Sequence, residues 1–103
     1  MRQVSQNMHP STNSPFFKVT YASVVVSLDQ LVAREPANPE RVKRAHVLMS
    51  AAKAGTGEKR KPIHVIDMGD GKYRVLDGNT TLQALKERGE TTAVVEIKKS
   101  LSY

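Results

Sequence analysis

Apolar positions along this chain form several short runs and one longer stripe. The runs are rich in valine and isoleucine, which is typical of β-strands. Two of them flank the tetrapeptide Met-Gly-Asp-Gly, whose glycines and aspartate favour the turn of a β-hairpin. The pattern therefore predicts four strands, over residues 18–27, 62–67, 72–76 and 92–98.

The longest helix is predicted to begin at Asn38-Pro39 and to end at Gly55. Asparagine can cap a helix, proline suits its first position, and glycine suits its end. Apolar residues recur along this segment at steps of three or four, which gives one buried stripe at Val42, Ala45, Met49 and Ala52. A shorter helical turn is expected over residues 27–32, where Ser-Leu-Asp-Gln matches a capping box.

A second helix is predicted after the Asp-Gly-Asn turn at residues 77–79, and it ends near Arg88. Thr80 and Gln83 offer a capping box for this helix, with Asn79 as a rival cap. The elements follow in the order β, short helix, helix, β, β, helix, β. This order predicts an α+β fold with a small mixed sheet of about four strands, a long helix and a second helix after the turn.

The composition limits the classes of protein to consider. The 103 residues allow one domain, expected over residues 16–103, behind a polar, disordered tail at residues 1–15. There is no cysteine, which excludes disulfides and thiol chemistry, and the three histidines lack zinc-site spacing. No apolar run could span a membrane and no secretory signal begins the chain, so we expect a cytoplasmic protein. The net charge of +6 favours polyanionic partners.

The Asp77-Gly78-Asn79 turn is the most informative feature of the chain. Gly78 permits a tight bend between strand and helix, and the residues after it present N–H groups at a helix N-terminus. Such a turn is a common way to hold a phosphate. The alternative is a plain strand-to-helix connection with a polar cap.

Cations and carboxylates near this turn add candidates. Lys59-Arg60-Lys61 follows a glycine-containing loop and could contact phosphates or form a solvated loop. Arg41, with Lys43 and Arg44, is expected on a solvent-facing side of the long helix. Asp77 could help to bind Mg²⁺ or act as a base in a nuclease-like site; the alternative is a turn residue that bonds nearby amides.

A series of short motifs runs through residues 19–98. They are Val-Ser-Leu-Asp-Gln-Leu, Asn-Pro-Glu-Arg, the Lys-Pro-Ile strand start after a Gly-rich segment, the Gly/Asp hairpin, Tyr-Arg-Val-Leu-Asp-Gly-Asn, and the Ala-Leu-Lys-Glu-Arg-Gly helix. Together they resemble the ParB/sulfiredoxin superfamily, and the ParB N-terminal domain in particular. It implies a small domain whose Gly-x-x-Arg turn binds phosphate. In ParB the motif is Gly-Glu-Arg-Arg and the ligand is cytidine triphosphate with magnesium. In sulfiredoxin it is Gly-Cys-His-Arg, and its cysteine attacks an oxidised peroxiredoxin.

This chain departs from the motif at two positions. The matching residues are Gly78, Asn79, Thr80 and Thr81, so asparagine replaces the cysteine and threonine replaces the arginine. Sulfiredoxin chemistry is not available without a thiol. A hydroxyl also lacks the permanent charge of a guanidinium, so triphosphate hydrolysis needs a substitute charge. The candidates for that charge are Lys59, Arg60, Lys61 and Arg41.

Three functional hypotheses follow. The first is a DNA-associated domain that binds nucleic-acid or nucleotide phosphate through residues 78–81 and Lys61, with Lys59, Arg60 and Arg41 as nucleic-acid contacts. The second is a metal-dependent nuclease or nucleotide hydrolase that uses Asp77 and Glu58. The third is a protein-interaction module with a vestigial ligand site. The cofactor stays open, with Mg²⁺ and a nucleoside triphosphate as the pair that the resemblance implies.

Overall fold

A computed structural model describes residues 14–100 as an α+β fold with a five-stranded mixed sheet and two α-helices. The tail predicted over residues 1–15 lies, up to residue 13, outside the described residues. The elements in chain order are β1 (Ser23–Ser27), a 3₁₀ turn (Leu28–Gln30), β2 (Leu31–Val32), α1 (Pro39–Ala54), β3 (Ile63–Asp67), β4 (Tyr73–Asp77), α2 (Asn79–Glu87) and β5 (Thr92–Ser100).

The strands lie in the order β1-β5-β3-β4-β2. β5 pairs antiparallel with β1 and parallel with β3, while β4 pairs antiparallel with β3 and parallel with β2. The predicted α+β class is therefore confirmed, with one more strand than expected. β3 and β4 form the hairpin that the sequence predicted, and α2 begins directly after β4.

The additional strand corrects the prediction for residues 27–32. The capping box is confirmed, because the Ser27 hydroxyl accepts from the Asp29 amide at 3.2 Å and Gln30 accepts from the Ser27 amide at 3.1 Å. The turn nevertheless stops at Gln30. Leu31 and Val32 then pair with β4, a partner about forty residues later that local pattern could not reveal.

The first strand begins later than predicted, at Ser23 rather than at residue 18. A turn interrupts the apolar run, because the Thr20 amide donates to the Ser23 hydroxyl at 2.8 Å and the Ser23 amide donates to the Thr20 carbonyl at 3.0 Å. Phe17, which the pattern places close to the strand, instead forms an isolated parallel bridge with Arg60. This bridge fixes the backbone of Arg60 through two hydrogen bonds, to Phe16 and Lys18.

The core lies between the sheet and the two helices. The predicted stripe of α1 is buried as expected, and α2 buries Leu82, Ala84 and Leu85. Ile63, Val65 and Val95, from the neighbouring strands β3 and β5, are fully buried. Each such aliphatic side chain stabilises the fold by about 1.5–3 kcal/mol relative to exposure. Neither helix of the described region is both long and apolar enough to span a lipid bilayer.

Candidate phosphate-binding site

The start of α2 carries no side-chain cap. Gly78 is the N-cap residue with a φ of +108°, and no side chain of residues 14–100 bonds to the first amides of the helix. The predicted caps, Thr80 and Asn79, are therefore wrong. The first bond of the helix runs from the Leu82 amide to the Gly78 carbonyl at 2.9 Å. The three amides that precede it, those of residues 79–81, have no partner inside an α-helix.

Only glycine fits at the bend. A positive φ of this size is unfavourable for residues with a side chain. A Cβ at Gly78 would also lie 3.0 Å from Cγ1 of Ile63, a side chain that is fully buried in the core. The glycine therefore lets the chain turn closely over β3 and places the open end of α2 at the surface.

This helix start faces a cleft of about 680 Å³. The cleft lies between the first turn of α2, the segment that joins β2 to α1, one side of α1, and Arg60 in front of β3. Four arginines and two carboxylates line it, beside small and apolar residues. The lining consists of Arg34, Glu35, Pro36, Ala37, Asn38, Arg41, Arg44, Ala45, Leu48, Arg60, Leu76, Asp77, Gly78, Asn79, Thr80 and Thr81.

Asn79 holds the β2–α1 segment against the cleft. Its Oδ1 accepts from the Arg34 amide at 2.9 Å, and its Nδ2 donates to the Glu35 carbonyl at 2.7 Å. The Arg34 guanidinium also donates to the Leu76 carbonyl at 3.4 Å. Asn79 therefore does not cap α2 as the sequence suggested. At the position where sulfiredoxin has its reactive cysteine, it links α2 to the β2–α1 segment. It positions Arg34, a cleft residue that the sequence analysis did not identify.

Thr81 anchors a second arginine. The threonine side chain is buried, with 4% exposure, and its Oγ1 accepts from Nε of Arg60 at 2.8 Å. The position where the family motif has arginine therefore contacts an arginine from another segment. Arg60, predicted as a nucleic-acid contact, lies in the cleft.

The side of α1 adds two more cations. Arg41 and Arg44 are exposed and line the cleft. The sequence predicts a solvent-facing side for both residues, and a nucleic-acid contact for Arg41 alone. On α1, the cleft residues Arg41, Arg44 and Leu48 each directly precede a buried residue, so the basic row borders the core stripe. Within residues 14–100, none of the four cleft arginines forms an ion pair with a carboxylate. The cleft therefore keeps a net positive charge.

Other predicted residues lie elsewhere. Lys59 and Lys61 do not line the cleft, because successive side chains of an extended segment point to opposite sides and Arg60 points inward. Glu58 forms an exposed ion pair with Lys18, with 3.2 Å between Oε2 and Nζ. The nuclease hypothesis paired Glu58 with Asp77, and only Asp77 lines the cleft.

The cleft carboxylates suit a cation that arrives with a ligand. Mg²⁺ is commonly held by one or two carboxylates together with substrate phosphates. Asp77 and Glu35 line the same cleft as the helix amides and could supply those oxygens beside a bound phosphate. No cluster of three or more His, Cys, Asp or Glu side chains suited to a metal occurs in the described part of the chain.

Comparison with known proteins adds the fold relationship. The sequence matches no family model and no curated protein. SbnI from Staphylococcus aureus, truncated at its C-terminus, is 27% identical with a TM-score of 0.63, over 75% of this chain and 30% of that one. A mutant of free serine kinase in complex with ADP is 20% identical with a TM-score of 0.63, over 86% and 35%. Sulfiredoxin from Arabidopsis thaliana is 23% identical with a TM-score of 0.51, over 74% and 86%.

The first two of these neighbours are longer proteins, and this chain spans about a third of each. Sulfiredoxin is similar in extent, since the match covers most of its length. The relationship that the sequence motifs predicted is thereby confirmed. The chain has the ParB/sulfiredoxin-like fold.

Proposed function

We propose that this domain binds the phosphate groups of a nucleotide in the arginine-lined cleft. The observation that carries the proposal is the uncapped N-terminus of α2, which opens onto a cleft with four arginines. Free amides and the positive end of the helix dipole favour an anion. Guanidinium groups add charge-assisted hydrogen bonds, which are about twice as strong as neutral ones.

The size of the cleft supports a nucleotide. Pockets for small molecules commonly occupy about 300–1,000 Å³, and this cleft has about 680 Å³. The α1 face from Asn38 to Leu48 is about 15 Å long at 1.5 Å per residue, which is long enough for a base and several phosphates. Leu48 and Leu76 are partly exposed in the lining and offer apolar contact for a base.

The structural neighbours agree with this choice. Free serine kinase has been solved in complex with AMP and with ADP. At 20–22% identity these structures share the fold with this chain, and the cleft residues described above make the case for a nucleotide here. We extend the proposal to AMP, ADP and their triphosphate relatives, with or without Mg²⁺.

Nucleic acid is the second candidate ligand. Arg41 and Arg44 lie on an exposed helix face, and the chain has a net charge of +6. Both features favour a strand of phosphates that continues beyond the cleft. The two candidates differ in a measurable way, because nucleic-acid binding weakens steeply with salt whereas a mononucleotide releases few counterions.

Direct titration tests the proposal. ADP, ATP, CTP, inorganic phosphate and a single-stranded DNA oligomer would be titrated calorimetrically, with and without Mg²⁺, at about 50–300 mM salt. Arg41→Gln with Arg44→Gln should weaken nucleotide binding about ten- to a hundred-fold, because two charge-assisted contacts are lost. Lys43→Gln with Lys53→Gln is the matched control, since it removes the same charge from exposed positions of α1 outside the cleft.

The outcomes separate the hypotheses. Folded protein that binds neither nucleotide nor DNA at low salt contradicts the proposal and favours a protein-interaction module. Equal loss in the arginine and lysine variants indicates binding by overall charge instead of by the cleft. Mg²⁺-dependent turnover that disappears in Asp77→Ala would establish the enzyme hypothesis.

A further inference from the structure

We infer that Arg60, positioned by Thr81, supplies the phosphate-binding charge that the family motif places on the helix itself. The inference rests on the proposed function of the cleft. It assigns a binding role to Arg60 and a positioning role to Thr81. The charge lies on the segment in front of β3 instead of on the first turn of α2, and the Thr81 hydroxyl on that turn accepts a hydrogen bond from Arg60.

Arg60 is anchored through its backbone. Its amide donates to the Phe16 carbonyl at 2.8 Å, and its carbonyl accepts from the Lys18 amide at 2.7 Å. Phe17, the bridge partner of Arg60, and Phe16 beside it are almost fully buried, at 3% and 4% exposure. The bridge therefore ties the base of the Arg60 side chain to the core, although the surrounding loop is rich in glycine and lysine.

The side chain is anchored a second time at its middle. Nε of Arg60 donates to Oγ1 of Thr81 at 2.8 Å, and Thr81 is buried on the first turn of α2. A guanidinium group has five N–H donors, and this bond uses one of them. The two terminal nitrogens of Arg60 donate to no other group in residues 14–100. Since Arg60 lines the cleft together with Thr81, these donors are available to a ligand there.

This arrangement distinguishes Arg60 from the other cleft arginines. Arg34 is also held at its backbone and its guanidinium, but it donates to the Leu76 carbonyl with a terminal nitrogen, Nη1, whereas Arg60 donates with Nε and keeps both terminal nitrogens. Arg41 and Arg44 are exposed on a helix, and their side chains form no hydrogen bond within the described region. A side chain fixed at two points loses little conformational entropy when it binds an anion. Arg60 is thus the arginine best prepared for a two-point contact with phosphate.

ADP titration of four variants tests the inference. Arg60→Gln should weaken ADP binding about ten- to a hundred-fold and reduce the slope of log affinity against log salt. Arg60→Lys keeps the charge but has no Nε donor for Thr81, so the slope should be retained while affinity falls about three- to ten-fold. Lys59→Gln and Lys61→Gln are the matched controls, because they remove neighbouring charges outside the cleft.

Thr81 needs a test that separates positioning from structure. Thr81→Val removes the hydroxyl at nearly constant volume and should lower ADP affinity about three- to ten-fold, with the salt slope unchanged because the charge remains. Thr81→Ser restores the hydroxyl and should recover affinity to within about two-fold of wild type. Thermal melts of each variant check folding. If Thr81→Val does not fold, the Arg60 variants still test the inference.

The inference and the proposed function fail in different ways. If Arg41→Gln with Arg44→Gln weakens ADP binding while Arg60→Gln binds like wild type, the cleft binds nucleotide and the inference is wrong. An effect of Lys59→Gln as large as that of Arg60→Gln also overturns it. If wild-type protein binds no nucleotide, the proposed function fails, and the inference fails with it.

Discussion

The two α-helices begin in opposite ways. At the start of α1, Oδ1 of Asn38 accepts from the amides of Glu40 and Arg41 at 2.9 and 3.2 Å, and Pro39 occupies the first position. The start of α2 has a glycine cap, and its amides donate to no side chain in the described part of the chain. Both starts border the same cleft, so the difference is local to each helix and not a matter of overall exposure.

The difference shows what the first turn of α2 does instead of capping. An asparagine, serine or threonine cap stabilises a helix by about 1 kcal/mol. Polar side chains are present at α2, but Asn79 bonds to the β2–α1 segment and Thr81 bonds to Arg60. Under the proposed function, the free amides bind the phosphate and these side chains hold the walls of the cleft around it. The local cost is small, because glycine at the N-cap position is only a few tenths of a kcal/mol less favourable than asparagine.

Gly78→Ala should destabilise the start of α2 and cause the largest loss of stability among these variants. The substitution forces a side chain into a φ of +108° and places a Cβ 3.0 Å from a buried Ile63 carbon. We expect the free energy of unfolding to fall by about 2–4 kcal/mol, measured by urea denaturation. ADP affinity should also fall, because the bend that exposes the amides is distorted.

Gly55→Ala provides the matched control for this change. Gly55 ends α1 at a φ of +82°, and a Cβ there would have no heavy atom within 4 Å. It should therefore show the conformational cost alone, about 1 kcal/mol. Equal losses in the two variants would mean that crowding against β3 contributes nothing at the α2 start.

The two asparagines sharpen the comparison with a smaller effect. Asn38→Ala removes a helix cap and should cost about 1 kcal/mol of stability. Asn79→Ala removes two hydrogen bonds to the segment that carries Arg34, so we expect a similar loss of stability and about five-fold weaker ADP binding. Urea denaturation and calorimetry on the same samples measure both quantities. Asn79→Ala binding ADP as tightly as wild type would contradict the positioning role of Asn79.

The sequence predicted those parts of the fold that depend on near neighbours. The α1 cap, its buried stripe, the capping box at Ser27 and the hairpin before β4 all rest on residues within a few positions of one another. Their signals are local, and the structure bears them out. The start of β1 and the strand β2 were missed because each depends on contacts that the local pattern does not contain.

The walls of the cleft illustrate the same limit. Arg60 meets Thr81 across 21 positions and Asn79 meets Glu35 across 44, so no local motif links them. Asn79 resembles a helix cap in the sequence, because a cap and a link to the β2–α1 segment both use an asparagine side chain. A signal for the basic row on α1 was present, since Arg41 and Arg44 each stand directly before a residue of the apolar stripe. It could not be told from an ordinary solvent face.

The far end of α2 offers the last and smallest test. Glu87 accepts from Gln83 at 3.1 Å and lies 2.9 Å from Nε2 of His46 on α1. The hydrogen bond with His46, followed by the one with Gln83, lowers the pKa of Glu87 below its usual value. A lowered pKa in the folded state stabilises the protein above the usual carboxyl pKa, and that contribution is lost as the pH falls through the folded value.

Glu87→Gln should therefore slightly reduce the loss of stability as the pH falls below the usual carboxyl pKa, because nothing at this position is left to protonate. The change is small, since the carboxylate is about half exposed and surface pairs are weak. Melting temperatures across that range measure it. ADP affinity at neutral pH should not change, because Glu87 lies outside the cleft lining. A loss of affinity would show that the two ends of α2 are coupled, and the open start could then no longer be treated as an independent site.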